Sequence, residues 1–191
     1  MSANRPAAPA LRAEKTAIQG VLVLEPRVYG DARGAFFESY NEALFTDVTG
    51  VAARFVQDNH SISMRHVLRG LHYQVRQAQG KLVRAVAGEI FDVAVDLRRS
   101  SPTFGRWTAT RLSAENRLMQ WIPEGCAHGF IVLSERAEVL YKATDYYAPE
   151  HERSILWNDR ELAIEWPATA EPIISERDRR ALRFSEAELF P

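Results

Sequence analysis

One cysteine, Cys126, stands among 191 residues, so no intrachain disulfide can form and a reducing cytoplasm is the expected compartment. No apolar run approaches the ~18 residues that a membrane span needs. An excess of one charge is also missing: 24 basic against 25 acidic side chains leave a net −1. Nucleic-acid binding and polybasic membrane binding both draw on surplus Lys and Arg, and neither is expected. Glycine (10) and proline (9) are too few for a collagen-like or low-complexity chain. What the chain does have is apolar bulk, 46% hydrophobic against 26% charged, which is the balance of a globular protein. A chain of this length buries roughly 70% of its unfolded surface, so it needs neither disulfide nor structural metal to fold. The Ala/Pro-rich start lacks the apolar segment of a secretory signal. Residues 1–15 are expected to form a flexible arm and residues 16–191 one domain.

Short β-branched and aromatic runs separated by turn residues dominate from Val21 to Tyr147. They fall at Val21–Leu24, Ala35–Tyr40, Arg54–Ser61, Leu82–Val86, Ile90–Leu97, Trp107–Leu112, Met119–Ile122, Gly129–Leu133 and Glu138–Tyr146. Many short strands at this spacing predict an all-β sandwich or barrel. Phe91, Val93, Val95 and Leu97 alternate with Asp92, Ala94 and Asp96, the pattern of a strand with one buried face. Asn41–Phe45 reads as a short capped helix. A second helical turn is expected after Ser175, where a capping serine precedes Asp178 by three residues.

Five histidines are present, and position singles out two. His72 lies in Leu68-Arg-Gly-Leu-His-Tyr-Gln, a strand-like run with an internal glycine of the kind that marks a bulge or a close backbone approach. Arg69 and His72 are three apart, so a regular strand sends them to opposite faces. For both to meet one ligand, the strand must be irregular near Gly70. His128 closes Pro123-Glu-Gly-Cys-Ala-His, and a Pro-x-Gly-x-x-His turn between strands resembles one half of the cupin signature. Metal-binding cupins add His-x-His and a carboxylate, whereas this chain reads His72-Tyr73-Gln74, so a metal-free pocket is expected. In Glu138-Val-Leu-Tyr-Lys-Ala-Thr-Asp-Tyr-Tyr, Val139, Tyr141, Ala143, Asp145 and Tyr147 share one face of a strand. Their phenols read either as core aromatics or as an acid and a stacking surface. Lys81 opens an apolar strand; it is solvated, or it points inward and stabilises an oxyanion.

Taken in order along the chain, these pieces resemble the dTDP-4-dehydrorhamnose 3,5-epimerase family, with a match spanning roughly Thr16 to Asp178. The stretches that carry it include Phe55-Val-Gln-Asp-Asn-His-Ser, Leu68-Arg-Gly-Leu-His-Tyr-Gln, Gln79-Gly-Lys-Leu-Val-Arg, Trp121-Ile-Pro-Glu-Gly, Ala127-His-Gly-Phe and Leu140-Tyr-Lys-Ala-Thr-Asp-Tyr-Tyr. The resemblance implies a cupin-type jelly-roll barrel with small C-terminal helices. It also implies a cofactor-free enzyme that inverts C3 and C5 of a dTDP-4-keto-6-deoxy hexose. It assigns the base to His72, the base's carboxylate partner to Asp178, the proton donor to Tyr141 and the group beside the ketone to Lys81. Nucleotide and phosphate binding fall to Arg33, Glu38, Gln57, Asn59, Arg69, His128, Glu152 and Arg177, with Tyr147 stacking on thymine. It further implies a homodimer that exchanges N-terminal strands, so that Arg33 and Glu38 serve the partner's pocket. Two departures stand out: Arg177 occupies a position that is commonly Lys, and Cys126 one that is commonly aromatic, which predicts looser packing behind His128. An epimerase acting at C3 or C5 alone, a metal-dependent cupin and a non-catalytic sugar-nucleotide sensor remain as alternatives.

Overall fold

Period-2 runs punctuated by turns fold here into two antiparallel sheets packed face to face. The structure, a computed structural model, describes residues 9–191. A six-stranded sheet contains β1 (Leu11–Lys15), β2 (Leu22–Pro26), β5 (Gln57–Met64), β7 (Lys81–Ala87), β10 (Met119–Ile122) and β12 (Arg136–Ala143). Its order is β1-β2-β10-β7-β12-β5. The second sheet is built from β6 (Leu68–Gln74), β8 (Glu89–Asp96), β9 (Trp107–Ser113), β11 (Cys126–Val132) and β13 (Glu152–Ser154). Its order is β13-β6-β11-β8-β9. A detached hairpin pairs β3 (Tyr29–Asp31) with β4 (Gly34–Phe36). The all-β, cupin-type architecture read from the sequence is present.

The barrel interior is filled from both sheets, by Val83, Ala85, Ile122 and Val139 on one side and Ile90, Ala94, Phe130 and Val132 on the other. Each outer face has its own cover. Helix α1 (Glu42–Thr49) is capped by the Asn41 side chain and ends on Gly50 at φ 71. It lays Phe45 against Leu82, Met119 and Trp121. The C-terminal segment covers Val93, Val95 and Leu97 with Leu162 and Phe184. It also carries α2 (Glu176–Arg179), capped by Ser175 as the sequence predicts.

Several boundaries differ from expectation. The flexible arm drawn over residues 1–15 is too long: Leu11–Lys15 is β1, in register with β2 from Leu11↔Pro26 to Lys15↔Leu22. Residues 1–8 of that arm lie outside the described residues. The strand expected over Ala35–Tyr40 stops at Phe36, because the chain then turns into the cap of α1. The β8 pattern does not leave one face open, since Asp92, Ala94 and Asp96 are fully buried along with Val93, Val95 and Leu97. The acidic row faces the barrel and the apolar row meets the C-terminal segment. Cys126 is buried among the interior residues, and burial pushes its thiol up to about 12.

Candidate active site

A cavity of about 190 Å³ opens in the barrel, walled by inward residues of β5, β6, β7, β11, β12 and β13. How β6 reaches it depends on the irregularity expected at Gly70. The β6–β11 ladder matches His128 to His72 but Phe130 to Arg69, so β6 spends one residue more than β11 between those points. That bulge brings Arg69 and His72 into the same cavity. Only glycines fit the crossing. Gly70 has φ +119, and a Cβ there would lie 2.6 Å from the Gly129 Cα. A Cβ on Gly129 would lie 2.8 Å from the Arg69 carbonyl oxygen. The Gly70–Leu71 peptide bond is cis.

The His72 ring donates from Nε2 to Asp178 Oδ1 at 2.6 Å, which leaves Nδ1 as its free acceptor. Asp178 comes from α2, 106 residues later, and is almost wholly buried. Burial alone raises a carboxyl, but the hydrogen bond and charge of His72, with help from Ser175 and the Gly70 N–H, hold Asp178 below the usual carboxylate range. It is therefore an anion at neutral pH, suited to fixing the tautomer and stabilising an imidazolium. Tyr141 lines the same cavity from β12. Burial, then the charge of Glu152, push its phenol above the usual value against the pull of Arg69, so it stays protonated as a donor. Lys81 points inward at the start of β7, and desolvation lowers it to about 8, opposed by Glu152 and Asp92. Lys81 is therefore turned into the barrel rather than solvated on its surface.

At the rim, the Tyr147 hydroxyl donates to Glu152 at 2.6 Å, and Arg177 pairs with the same carboxylate. The shared strand face proposed for the tyrosines ends at Ala143, where β12 stops. Tyr147 arrives by a turn instead, in which Gln74 accepts from the Ala148 N–H and donates to the Tyr146 carbonyl. Gln57 accepts from the Tyr147 N–H and donates to Asn59, so both support the rim from β5. Arg69 donates to Ser63 at 3.0 Å. His128 is buried in the wall and hydrogen-bonds Asp92 at 2.7 Å.

Two expected residues reach neither the cavity nor its rim within this chain. Arg33 sits on the detached hairpin, nine-tenths exposed and paired with Asp31. Glu38 is exposed and accepts from Asn41. The residues that the sequence reading missed include Asp92 behind the wall and Ser61, Tyr73, Gln74, Gln79 and Phe130 in the lining. Asp92 was taken for the polar face of an amphipathic strand, although two aspartates in a β-branched run are equally a signal of buried partners. Among the described residues, no cluster of three or more His, Cys, Asp or Glu side chains has the geometry to hold a metal ion.

Two His–Asp pairs, an inward lysine and a buried phenol around one cavity suit proton transfer beside a carbonyl. The model of the dTDP-4-dehydrorhamnose 3,5-epimerase family matches residues 15–186. The chain belongs to that family. It is thus an isomerase. It is 62% identical over 181 residues to the dTDP-4-dehydrorhamnose 3,5-epimerase of Pseudomonas aeruginosa, covering 95% of this chain and 100% of that one. The Salmonella typhimurium enzyme of the same name is 58% identical, covering 92% and 96%. Among solved structures, a dTDP-6-deoxy-D-glucose-3,5-epimerase from Legionella pneumophila, in complex with dTDP-4-keto-L-rhamnose, superposes with a TM-score of 0.91 at 49% identity. That match covers 93% of this chain and 95% of the other. The epimerase family thus accounts for almost the whole barrel, its C-terminal cover included.

Proposed function

We propose that this epimerase inverts C3 and C5 of dTDP-4-dehydro-6-deoxy-D-glucose, giving dTDP-4-dehydro-L-rhamnose, with the sugar in the barrel cavity and the nucleotide at its rim. The observation that carries this reading is the His72–Asp178 pair opening on the same cavity as Tyr141 and Lys81. The protons at C3 and C5 are acidic because the C4 carbonyl takes up the electron pair as an enolate. His72 removes the proton through Nδ1, and Asp178 stabilises the imidazolium that forms. Lys81 meets the developing negative charge on the ketone oxygen. Tyr141 returns a proton from the opposite face, and exchange with solvent restores both groups before the second position reacts. The reaction needs no cofactor, since the activating ketone is already in the substrate.

Binding energy comes from the other end of the ligand. Tyr147 offers a flat face to the base, while Arg69, Arg177 and His128 answer the phosphates and sugar. Gln57, Asn59 and Glu152 order the rim. In the same reading the enzyme is a homodimer with exchanged N-terminal strands, and Arg33 and Glu38 act in the partner's pocket. The apolar surface around that hairpin supports this, with Phe36 at 68% and Tyr29 at 50% exposure. Mixed dimers formed from Arg33→Ala and His72→Asn chains test it, because only exchanged pockets regain activity on mixing. Cytoplasmic residence belongs to this reading too, supported by a sequence with one cysteine.

The deciding experiment is incubation with dTDP-4-keto-6-deoxyglucose in deuterated buffer, followed by NMR location of the label. Deuterium at both C3 and C5 is expected. Label at one carbon alone makes the enzyme a single-position epimerase, and no label removes the proton-transfer reading.

A further inference from the structure

Asp92 is fully buried on the inner face of β8, and no function has been given to it so far. One of its oxygens, Oδ1, takes the Nε2–H of His128 at 2.7 Å. The other, Oδ2, is buried with no hydrogen-bond partner among the described residues. A carboxylate sealed from water and only half satisfied is costly, so it persists where its charge is used. Two cavity groups lie within its influence. His128 is held from behind by Oδ1, which fixes which ring nitrogen remains for the cavity. Lys81 stands on β7 in the facing sheet, and Asp92 and Glu152 are the two anions that favour its charged form.

These two anions are not equivalent. Glu152 is already engaged by Arg177 and by the Tyr147 hydroxyl. Asp92 is shared with one imidazole alone. The charged and titratable groups surrounding Lys81 are Arg69, His72 and Tyr73 on β6, Asp92 on β8, His128 on β11, Tyr141 on β12, Tyr147 in the turn after it and Glu152 on β13. His72 has its own aspartate, and Arg69 adds positive charge that works against an ammonium. Asp92 is thus the anion of this set whose charge is least spent.

We propose that Asp92 is a positioning residue of the epimerase: it fixes the His128 ring from behind the cavity wall and supplies the counter-charge to the Lys81 ammonium across the barrel. The catalytic consequence rests on the assignment of Lys81 to the sugar ketone. An ammonium stabilises an enolate oxygen far better than a neutral amine does, so removing the Asp92 charge disarms Lys81 without touching it.

The chain has three lysines, Lys15, Lys81 and Lys142, so the Lys81 ammonium can be followed by NMR in lysine-labelled protein. In the intact enzyme its midpoint is expected at about 8, where desolvation brings it. In Asp92→Asn the midpoint falls by about one unit, and the alkaline limb of kcat moves with it, an approximately threefold loss of kcat near pH 7.5. Affinity for dTDP falls only slightly, since Tyr147 and Arg177 at the rim are untouched and the His128 ring alone is loosened. His128→Ala gives the opposite sign: it takes away the N–H that Asp92 Oδ1 accepts, so the carboxylate is unshared and the Lys81 midpoint rises. This second variant keeps the test open should Asp92→Asn fail to fold. An unmoved Lys81 midpoint in a folded variant overturns the inference. If Lys81 moves but the kcat limb does not, the counter-charge role stands, and the reading of Lys81 at the ketone falls instead.

Discussion

His72 and His128 are direct cross-strand partners in the β6–β11 ladder, and each ring hydrogen-bonds a buried aspartate through Nε2. Their partners differ in origin. Asp92 belongs to the barrel itself, whereas Asp178 is delivered by the C-terminal turn. Asp178 is also steadied by Ser175 and the Gly70 N–H, while Asp92 keeps one oxygen bare. Two similar pairs in one wall are thus unequal. In the proposed mechanism the base is His72, the more exposed of the two rings.

Replacing His72 by Asn removes the base and leaves the rim intact. Solvent-deuterium incorporation at C3 and C5 is expected to fall by about 10²–10⁴-fold. Affinity for dTDP, measured by calorimetry, is expected to stay within a factor of about two, since Tyr147 and the rim arginines are untouched. Exchange at the wild-type rate would remove His72 from the mechanism.

Asp178→Asn exchanges an anion for an amide that can present N–H to the ring, which favours the wrong tautomer. The expected loss in kcat is ~10²-fold or more, with little change in KM. Full activity in this variant would mean that another group orients the imidazole.

The pH dependence follows from Lys81. Its ammonium is lowered to about 8 by desolvation, so the charged form is lost as pH rises through that value. Turnover is expected to decline above pH 8, and Lys81→Arg, whose charge does not titrate in this range, is expected to flatten the decline while lowering the maximum. A steep alkaline limb that survives in Lys81→Arg assigns it to a different group.

Gly70→Ala tests the bulge. The added methyl meets backbone on the neighbouring strand at 2.6 Å and must adopt φ +119. A destabilisation of roughly 2–4 kcal/mol is expected, read as a Tm lower by about 5–15 °C. A melt unchanged from wild type would show that β6 and β11 can part without cost.

Cys126 is buried, with its thiol pushed up to about 12. It is expected to resist alkylation by iodoacetamide at pH 8 in the native enzyme and to react on unfolding. Rapid native labelling would indicate that the wall behind His128 opens.

How much of this was legible beforehand follows the physics of each element. The strands announced themselves by alternation, and the bulge by one glycine between Arg69 and His72, two residues three apart that had to share a cavity. The Ser175 cap was readable as a local hydrogen-bond pattern. Its pairing with His72 is a contact over 106 residues, which no local pattern encodes; it came from resemblance alone. Asp92 escaped because alternation reports two faces without saying that both are covered. The turn that lifts Tyr147 to the rim depends on Gln74, a side chain 72 and 74 residues from the backbone groups it holds.

The four-residue turn that carries Asp178 is pinned at both flanks by parallel bridges, Val67↔Ile173 before it and Ile155↔Leu182 after it. No strand of either sheet comes from that segment, yet without it the His72 imidazole loses the one carboxylate that holds it. Clipping the chain ahead of Ile173 should strip the base of Asp178, the rim of Arg177 and the outer face of Phe184 in one cut.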